Sequence, residues 1–133
     1  MKVEDINAVS IALDYDNKQS LFIYLDKKGT VVRMGNGRID NSNFEIYSDK
    51  TKEPFFNELL KNITDDMIAF TGEYALDETG TPCELLIMLY SKDDNKRFKF
   101  SYGTQFEGLP GEIHNLIVEA IKITDKWYSK KLI

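Results

Sequence analysis

The stretch TVVRMGNGRIDN, residues 30–41, combines a glycine-spaced loop with Arg33 and Arg38, the residue types of a phosphate site. A dinucleotide fingerprint needs G-x-G-x-x-G between a strand and a helix, so that backbone amides and the helix dipole meet the phosphate. Here no third glycine follows, and the Gly-Lys-Ser or Gly-Lys-Thr of a P-loop is absent. Asn-Gly is a favoured turn pair that tolerates positive φ. The spacing therefore predicts a bend between two strands.

The single thiol, Cys83, and the single imidazole, His114, are the next groups with chemical potential. A Cys–His nucleophile pair requires the fold to bring them together, but Cys83 opens an apolar segment, where buried thiols behave as small hydrophobes. Neither has the additional ligands that a zinc site needs. The acids of DYDNKQS, residues 14–20, lack the glycine and closing glutamate of a calcium loop. We therefore expect no catalytic residue, no metal and no cofactor.

A third candidate is the pair Glu73 and Glu84, which would face each other if the intervening segment formed a hairpin. Paired carboxylates can act as general acid and base when one pKa is raised. We expect instead that both lie on the open face of a sheet, close to lysines of neighbouring strands.

Charge limits the class of partner. The formal net charge is −5, and acids and bases are interspersed along the chain. Binding a polyanion requires clustered Lys and Arg that displace counterions. The segment RFKFSY, residues 97–102, also lacks the glycines of RNA-binding strands. We therefore predict no nucleic-acid partner, whereas an acidic surface suits a basic protein.

Length and composition predict one domain spanning residues 1–133. One cysteine fits a reducing compartment. No apolar run approaches roughly 18 residues, and the N-terminal segment has no signal-peptide pattern, so we expect no membrane association and a cytoplasmic location.

Hydrophobic periodicity predicts an α+β fold, with an antiparallel meandering sheet of about six to seven strands, a long C-terminal helix packed on one face and a short middle helix. The last three strands are expected to form a meander. The predicted strands span 8–13, 20–26, 30–34, 43–48, 67–76, 83–91 and 96–102, and the predicted helices span 53–63 and 110–128.

Because no catalytic constellation emerges, the sequence favours a non-enzymatic intracellular protein-binding module that acts on a basic partner. Tyrosines supply contact area at low entropic cost, so Tyr15, Tyr24, Tyr47 and Tyr74 are the expected anchors. Size, acidity and α+β patterning are similar to those of small intracellular proteins that neutralise bacterial toxins. This likeness to immunity or inhibitor proteins is one of type and rests on no motif.

Two alternatives stay open. A small-molecule binder or minor enzyme would use a cleft between the open sheet face and the 49–64 helix, with Arg33, Arg38 and Glu73 as its polar groups. A homodimer would cover that open face instead, because SLFIYLD and ELLIMLY are apolar on both sides.

Overall fold

A computed structural model describes all residues, 1–133, and shows a seven-stranded sheet with its helices in a second layer. This confirms the α+β class, the strand number, the long C-terminal helix and the short middle helix. A 3-10 turn, Val3–Asp5, precedes the first strand. The strands are β1 Ala8–Tyr15, β2 Lys18–Asp26, β3 Thr30–Met34, β4 Tyr47–Lys50, β5 Gly72–Ala75, β6 Pro82–Tyr90 and β7 Asn95–Gly103, and the helices are α1 Phe55–Leu60, α2 Asp65–Ile68 and α3 Gly111–Lys131.

The first four strands form an antiparallel meander, because each pairs with the strand that follows it. Short turns join β1 to β2 and β2 to β3, whereas residues 35–46 join β3 to β4. Asp16 and Asn17, both at positive φ (49° and 65°), connect β1 to β2, as a two-residue hairpin turn requires. Gly29 (φ 87°) ends the turn before β3. The fourth strand, predicted at 43–48, begins later, at Tyr47.

The prediction of a strand across 67–76 is wrong in its first half. Thr64 caps α2, since its side chain accepts a hydrogen bond from the backbone N–H of Met67 (3.1 Å). Met67 and Ile68 are both buried on this helix, and only Gly72–Ala75 forms a strand. The alternating pattern of these residues therefore reflects a short helix followed by a short strand.

The predicted meander of the last three strands is also wrong. The sheet order is β4-β3-β2-β1-β6-β7-β5, and β5 pairs in parallel with β7 rather than with β6. The chain must therefore pass from β5 to β6 over the end of β7. Gly103 permits this crossing, because a Cβ there would lie 2.0 Å from the carbonyl oxygen of Thr79.

All three α-helices pack on the same face of the sheet. Most of their buried residues belong to one apolar core with the inward residues of β1, β2, β6 and β7. α3 is longer than predicted, and it buries one stripe through Ile113, Leu116, Ile117, Ala120, Thr124 and Tyr128. None of the helices is both long and apolar enough to cross a lipid bilayer.

The opposite face of the sheet carries no helix. We call it the helix-free face. Its central side chains are small on β1 and large on β2 and β6, and none of them joins the apolar core beneath the helices. Alternation along the strands places the following residues on it: Ala8, Ser10, Ala12, Phe22, Tyr24, Val32, Leu86, Met88 and Tyr90.

Candidate functional site

The glycine-spaced loop forms the predicted bend. Gly35 and Gly37 have φ of 78° and 80°. The amides that would have to face a phosphate all donate within the protein. Gly35 donates to the Tyr128 hydroxyl (3.1 Å) and Gly37 to the Ser20 carbonyl (3.0 Å). Asn36 donates to the Asn41 side chain (3.2 Å) and Arg38 to the Asn36 side chain (2.8 Å). The loop therefore offers no free amide cradle to an anion.

Arg33 lies beneath the helices and is only 2% exposed. Its guanidinium donates to the carbonyl of Ile121 and the hydroxyl of Thr124, both at 3.1 Å. It also pairs with Asp125 at 2.6 Å and stacks over the ring of Tyr128, 4.2 Å from the ring centre. Every one of these partners belongs to α3, so Arg33 joins β3 to that helix and is closed to a ligand.

The structure does not bring Arg33, Arg38 and Glu73 together. Arg38 is exposed in the bend, where it faces Asp40 at 3.4 Å. Glu73 lies on β5, at the opposite side of the sheet, with four strands between it and Arg33. At about 4.8 Å per strand this is a separation of more than 20 Å.

The cleft expected beside the 49–64 helix is also different from the prediction. α1 packs with α3 on the covered face, so it does not border the helix-free face. The concavity beside α1 has a volume of about 230 Å3 and lies between the β2–β3 turn and the start of the helix. None of Arg33, Arg38 or Glu73 lines it.

The four candidate tyrosines occupy separate places. The hydroxyl of Tyr15 donates to the carbonyl of Gly37 at 3.1 Å, and Tyr24 lies on the helix-free face against Tyr90. Tyr47 belongs to the edge strand β4, where its ring packs against Tyr128. Tyr74 belongs to the other edge strand, β5, and is the most exposed of them. They do not form one patch.

Cys83 and His114 do not form a dyad. The thiol of Cys83 is buried and donates to the carbonyl of Thr81 at 3.4 Å, and burial raises its pKa. His114 is exposed on the first turns of α3. Histidine, cysteine and carboxylate side chains nowhere gather in a group able to hold a metal ion.

Glu73 and Glu84 lie on opposite sides of β7, because β5 and β6 do not pair. Glu84 is 3.5 Å from Lys99, and Glu73 pairs with Arg97. The expectation that both carboxylates lie close to lysines of neighbouring strands holds for Glu84, whereas the cation beside Glu73 is an arginine. The carboxylate beside Glu84 across the strands is Asp14, and burial together with the charge of Glu84 raises its pKa.

The strongest candidate site is an apolar cavity of about 250 Å3 between β5, the end of α2 and the start of α3. We call it the β5 cavity. Its floor is aromatic, since the ring of Tyr74 stacks on that of Phe100 with centres 5.1 Å apart. Phe70 forms its rim and is 66% exposed. The lining residues are Met67, Phe70, Tyr74, Leu76, Phe98, Phe100, Gly108, Pro110, Glu112 and Ile113.

The surroundings of the β5 cavity are acidic. Most of its lining comes from the segments 69–82 and 103–113 together with two β7 residues. These two segments contain five carboxylates, Glu73, Asp77, Glu78, Glu107 and Glu112, and no Lys or Arg. Only Glu73 forms an ion pair. The site thus combines apolar walls with two flanking segments that carry negative charge only, while the cations of β7 include Arg97, the partner of Glu73.

Of the residues predicted from the sequence, only Tyr74 lines this site; its other walls were missed. Phe70 belongs to the segment 67–76 that was predicted as one strand, whereas the end of α2 leaves it exposed. A signal was present in the helix-start pattern Thr64-Asp65-Asp66, because a capping threonine followed by acids marks a first turn. No protein-family model and no curated protein sequence matches this chain.

Proposed function

We propose that this protein is a non-enzymatic binding module that holds a basic segment of another protein at the β5 cavity. The observation that carries the proposal is the cavity itself: about 250 Å3 of apolar space with an exposed aromatic rim, flanked by two segments, 69–82 and 103–113, whose only charges are negative.

The size of the cavity suits a side chain. Small-molecule pockets usually begin at about 300 Å3 and bring several polar groups together. Here Glu112 is the one charged residue in the lining. Burying one large aliphatic or aromatic side chain contributes about 1.5–3 kcal/mol. A side chain of a protein partner therefore fits this site better than a free ligand does.

The charges select the kind of partner. Carboxylates around an apolar anchor attract Lys and Arg and repel acidic competitors, mainly by speeding association. Such attraction weakens as salt shortens the range of the field. A basic enzyme blocked by this surface would make the protein an inhibitor of the immunity type. The same charges disfavour a nucleic-acid partner.

The test is a selection of random displayed peptides on the immobilised protein at low salt. We expect enrichment of peptides that carry a large apolar residue flanked by Lys or Arg. Replacing Phe70 with alanine should weaken a selected peptide about tenfold, since it removes the apolar rim. Phe44→Ala is the matched control, because Phe44 is similarly exposed (55%) but lies in the loop before β4.

Three results would overturn the proposal: enrichment of acidic peptides, no enrichment at all, or equal weakening by Phe70→Ala and Phe44→Ala. Titration calorimetry at two salt concentrations gives the affinities. An affinity that is unchanged by salt would contradict the role given to the carboxylates.

We also propose that a second copy of the chain covers the helix-free face. Seven strands about 4.8 Å apart and about 18 Å long present about 600 Å2 per copy, or about 1,200 Å2 over two copies, which exceeds the total of about 1,000 Å2 that a specific interface needs. The rim charges are balanced, since Glu84 pairs with Lys99 and Glu73 with Arg97. Balanced charge suits a two-fold interface, in which each copy meets the same surface.

Sedimentation at micromolar concentration tests the dimer. We expect a dimer for the native chain and a monomer for Phe22→Glu, which places a charge in the centre of the helix-free face. Phe44→Glu adds the same charge outside that face and should leave the dimer intact. A monomeric native chain would overturn the dimer proposal and would leave the proposal for the β5 cavity unaffected.

A further inference from the structure

We infer that the bound segment adds to the sheet as an eighth strand along β5, an inference that rests on the function proposed for the β5 cavity. β5 is the last strand of the sheet and pairs only with β7. Its outer edge is therefore available to another chain, and β-strand addition is a common mode of peptide recognition.

The backbone of β5 defines which groups would bond to the added strand. Leu76 donates its N–H to the carbonyl of Ser101 on β7 at 2.8 Å. In a parallel pair, alternate residues face the neighbouring strand. Gly72, Tyr74 and Leu76 thus face β7, and the N–H and C=O groups of Glu73 and Ala75 point to the open edge.

The alternation of side chains along β5 indicates which side chains of the added strand would reach the cavity. Tyr74 and Leu76 project to the helix side, where they line the β5 cavity, while Glu73 and Ala75 project to the other face. An adjacent strand alternates in the same way, so every second side chain lies on the cavity side. An extended segment with alternating apolar and basic residues would place an apolar side chain beside Phe70 and its cations on the opposite face of the sheet, where Glu73 lies.

The other edge of the sheet lacks these features. β4 carries Lys50, and Lys52 follows it; edge lysines discourage strand addition. Asp49 on β4 is already engaged by Trp127 of α3, whose indole N–H donates to it at 2.9 Å. β5 contains no lysine and no proline. The unprotected edge and the apolar cavity therefore coincide on one strand only.

The probe for this inference is the blocked peptide Lys-Leu-Lys-Val-Lys-Leu-Lys, together with versions in which single backbone amides are methylated. Methylation removes one donor and leaves side chains and charge unchanged. We expect alternate methylations to weaken binding at least about tenfold, because alternate amides face the partner strand. Hydrogen exchange at the amides of Glu73 and Ala75 should slow when the unmodified peptide binds.

A protein variant gives the reciprocal measurement. Ala75→Pro removes an outward-facing N–H and leaves the amides that bond to β7 in place; proline is tolerated in edge strands. It should weaken the peptide about as much as methylation does, whereas Ala75→Ser, which keeps the N–H, should not. A thermal melt of Ala75→Pro within a few degrees of the native chain shows that β5 is intact.

The outcomes separate this inference from the proposed function. If Phe70→Ala weakens the peptide but neither methylation nor Ala75→Pro does, the added strand is overturned and the cavity function stands. If methylation matters and Phe70→Ala does not, the cavity function is overturned, and with it this inference. Absence of binding up to about 1 mM overturns both.

Discussion

The guanidinium of Arg33 and the carboxylate of Asp125 lie 2.6 Å apart and join β3 to the second half of α3. The two partners differ in exposure, since the side chain of Arg33 is 2% exposed and that of Asp125 is 55% exposed. The cation is therefore held in the interior by a carboxylate that keeps much of its water, and by neutral acceptors on α3. This contact fixes where the helix lies on the sheet.

Arg33→Met should lower the free energy of unfolding by about 3 kcal/mol, because several buried acceptors lose their donor at once. Asp125→Asn should lower the free energy of unfolding by only about 1 kcal/mol, since an exposed carboxylate contributes less to stability than a buried one. Urea titration followed by the fluorescence of Trp127 measures both. Arg38→Met, at an exposed arginine, is the control and should change stability by less than about 0.5 kcal/mol. Equal losses for Arg33→Met and Arg38→Met would contradict this assignment.

Gly35→Ala should lower the free energy of unfolding by more than about 2 kcal/mol. Gly35 has φ of 78°, and an added Cβ would fall 2.0 Å from the carbonyl oxygen of Ser20. Gly111→Ala is the matched control, because no atom lies within 4 Å of a Cβ there. At the start of α3 it should instead raise stability by about 0.5 kcal/mol. Thermal melts of the two variants should shift in opposite directions.

Asp14→Asn should raise the free energy of unfolding at neutral pH by about 0.5 kcal/mol, because it removes a like charge opposite Glu84. Burial, and then the charge of Glu84, raise the pKa of Asp14 above its ordinary value of 3.8. An acid with a raised pKa in the folded state makes folding less favourable when ionised. This decrease in the free energy of unfolding is present in full above the folded-state pKa of Asp14 and is absent below pH 3.8.

The gain from Asp14→Asn should therefore disappear in acid, which chemical unfolding at a series of pH values will show. Asp93→Asn is the control, because Asp93 is exposed and forms no ion pair. A gain that persists in acid would mean that something other than charge is responsible.

Cys83 should react with a thiol reagent at least about 100-fold more slowly in the native chain than in urea. The thiol is 4% exposed, and burial raises its pKa, so both access and thiolate content are low. His114→Ala should leave the native rate unchanged. If His114→Ala slowed the reaction of the native thiol, His114 would be activating Cys83, and this would contradict the conclusion that the two residues form no nucleophile pair.

The elements that could be predicted from the sequence are those whose pattern is local. Strand β3 was predicted at its observed bounds, 30–34, because a glycine turn precedes it and a glycine bend follows. The sequence also contained a signal that Arg33 is buried. Alternation puts Arg33 on the same face as buried Val31, and Thr124 interrupts the apolar stripe of the last helix.

The β5 cavity could not be predicted in the same way. Its walls come from segments that are far apart in the chain, and they meet only because β5 pairs with β7 rather than with β6. The short connection 76–81 has the turn composition of a hairpin. Nothing local distinguishes a hairpin from a crossing over Gly103, since that choice is decided by packing of the whole sheet.

The order of the strands has a consequence for the growing chain. β1 ends up between β2 and β6, and Ala8 pairs with Tyr90. At about 5–20 residues per second, roughly two to eight seconds pass on the ribosome between synthesis of Lys50 and that of Tyr90. During this interval the edge of β1 that will pair with β6 has no partner strand and is exposed to other polypeptides. Dependence on molecular chaperones should therefore concentrate in that window and fall once β6 has emerged.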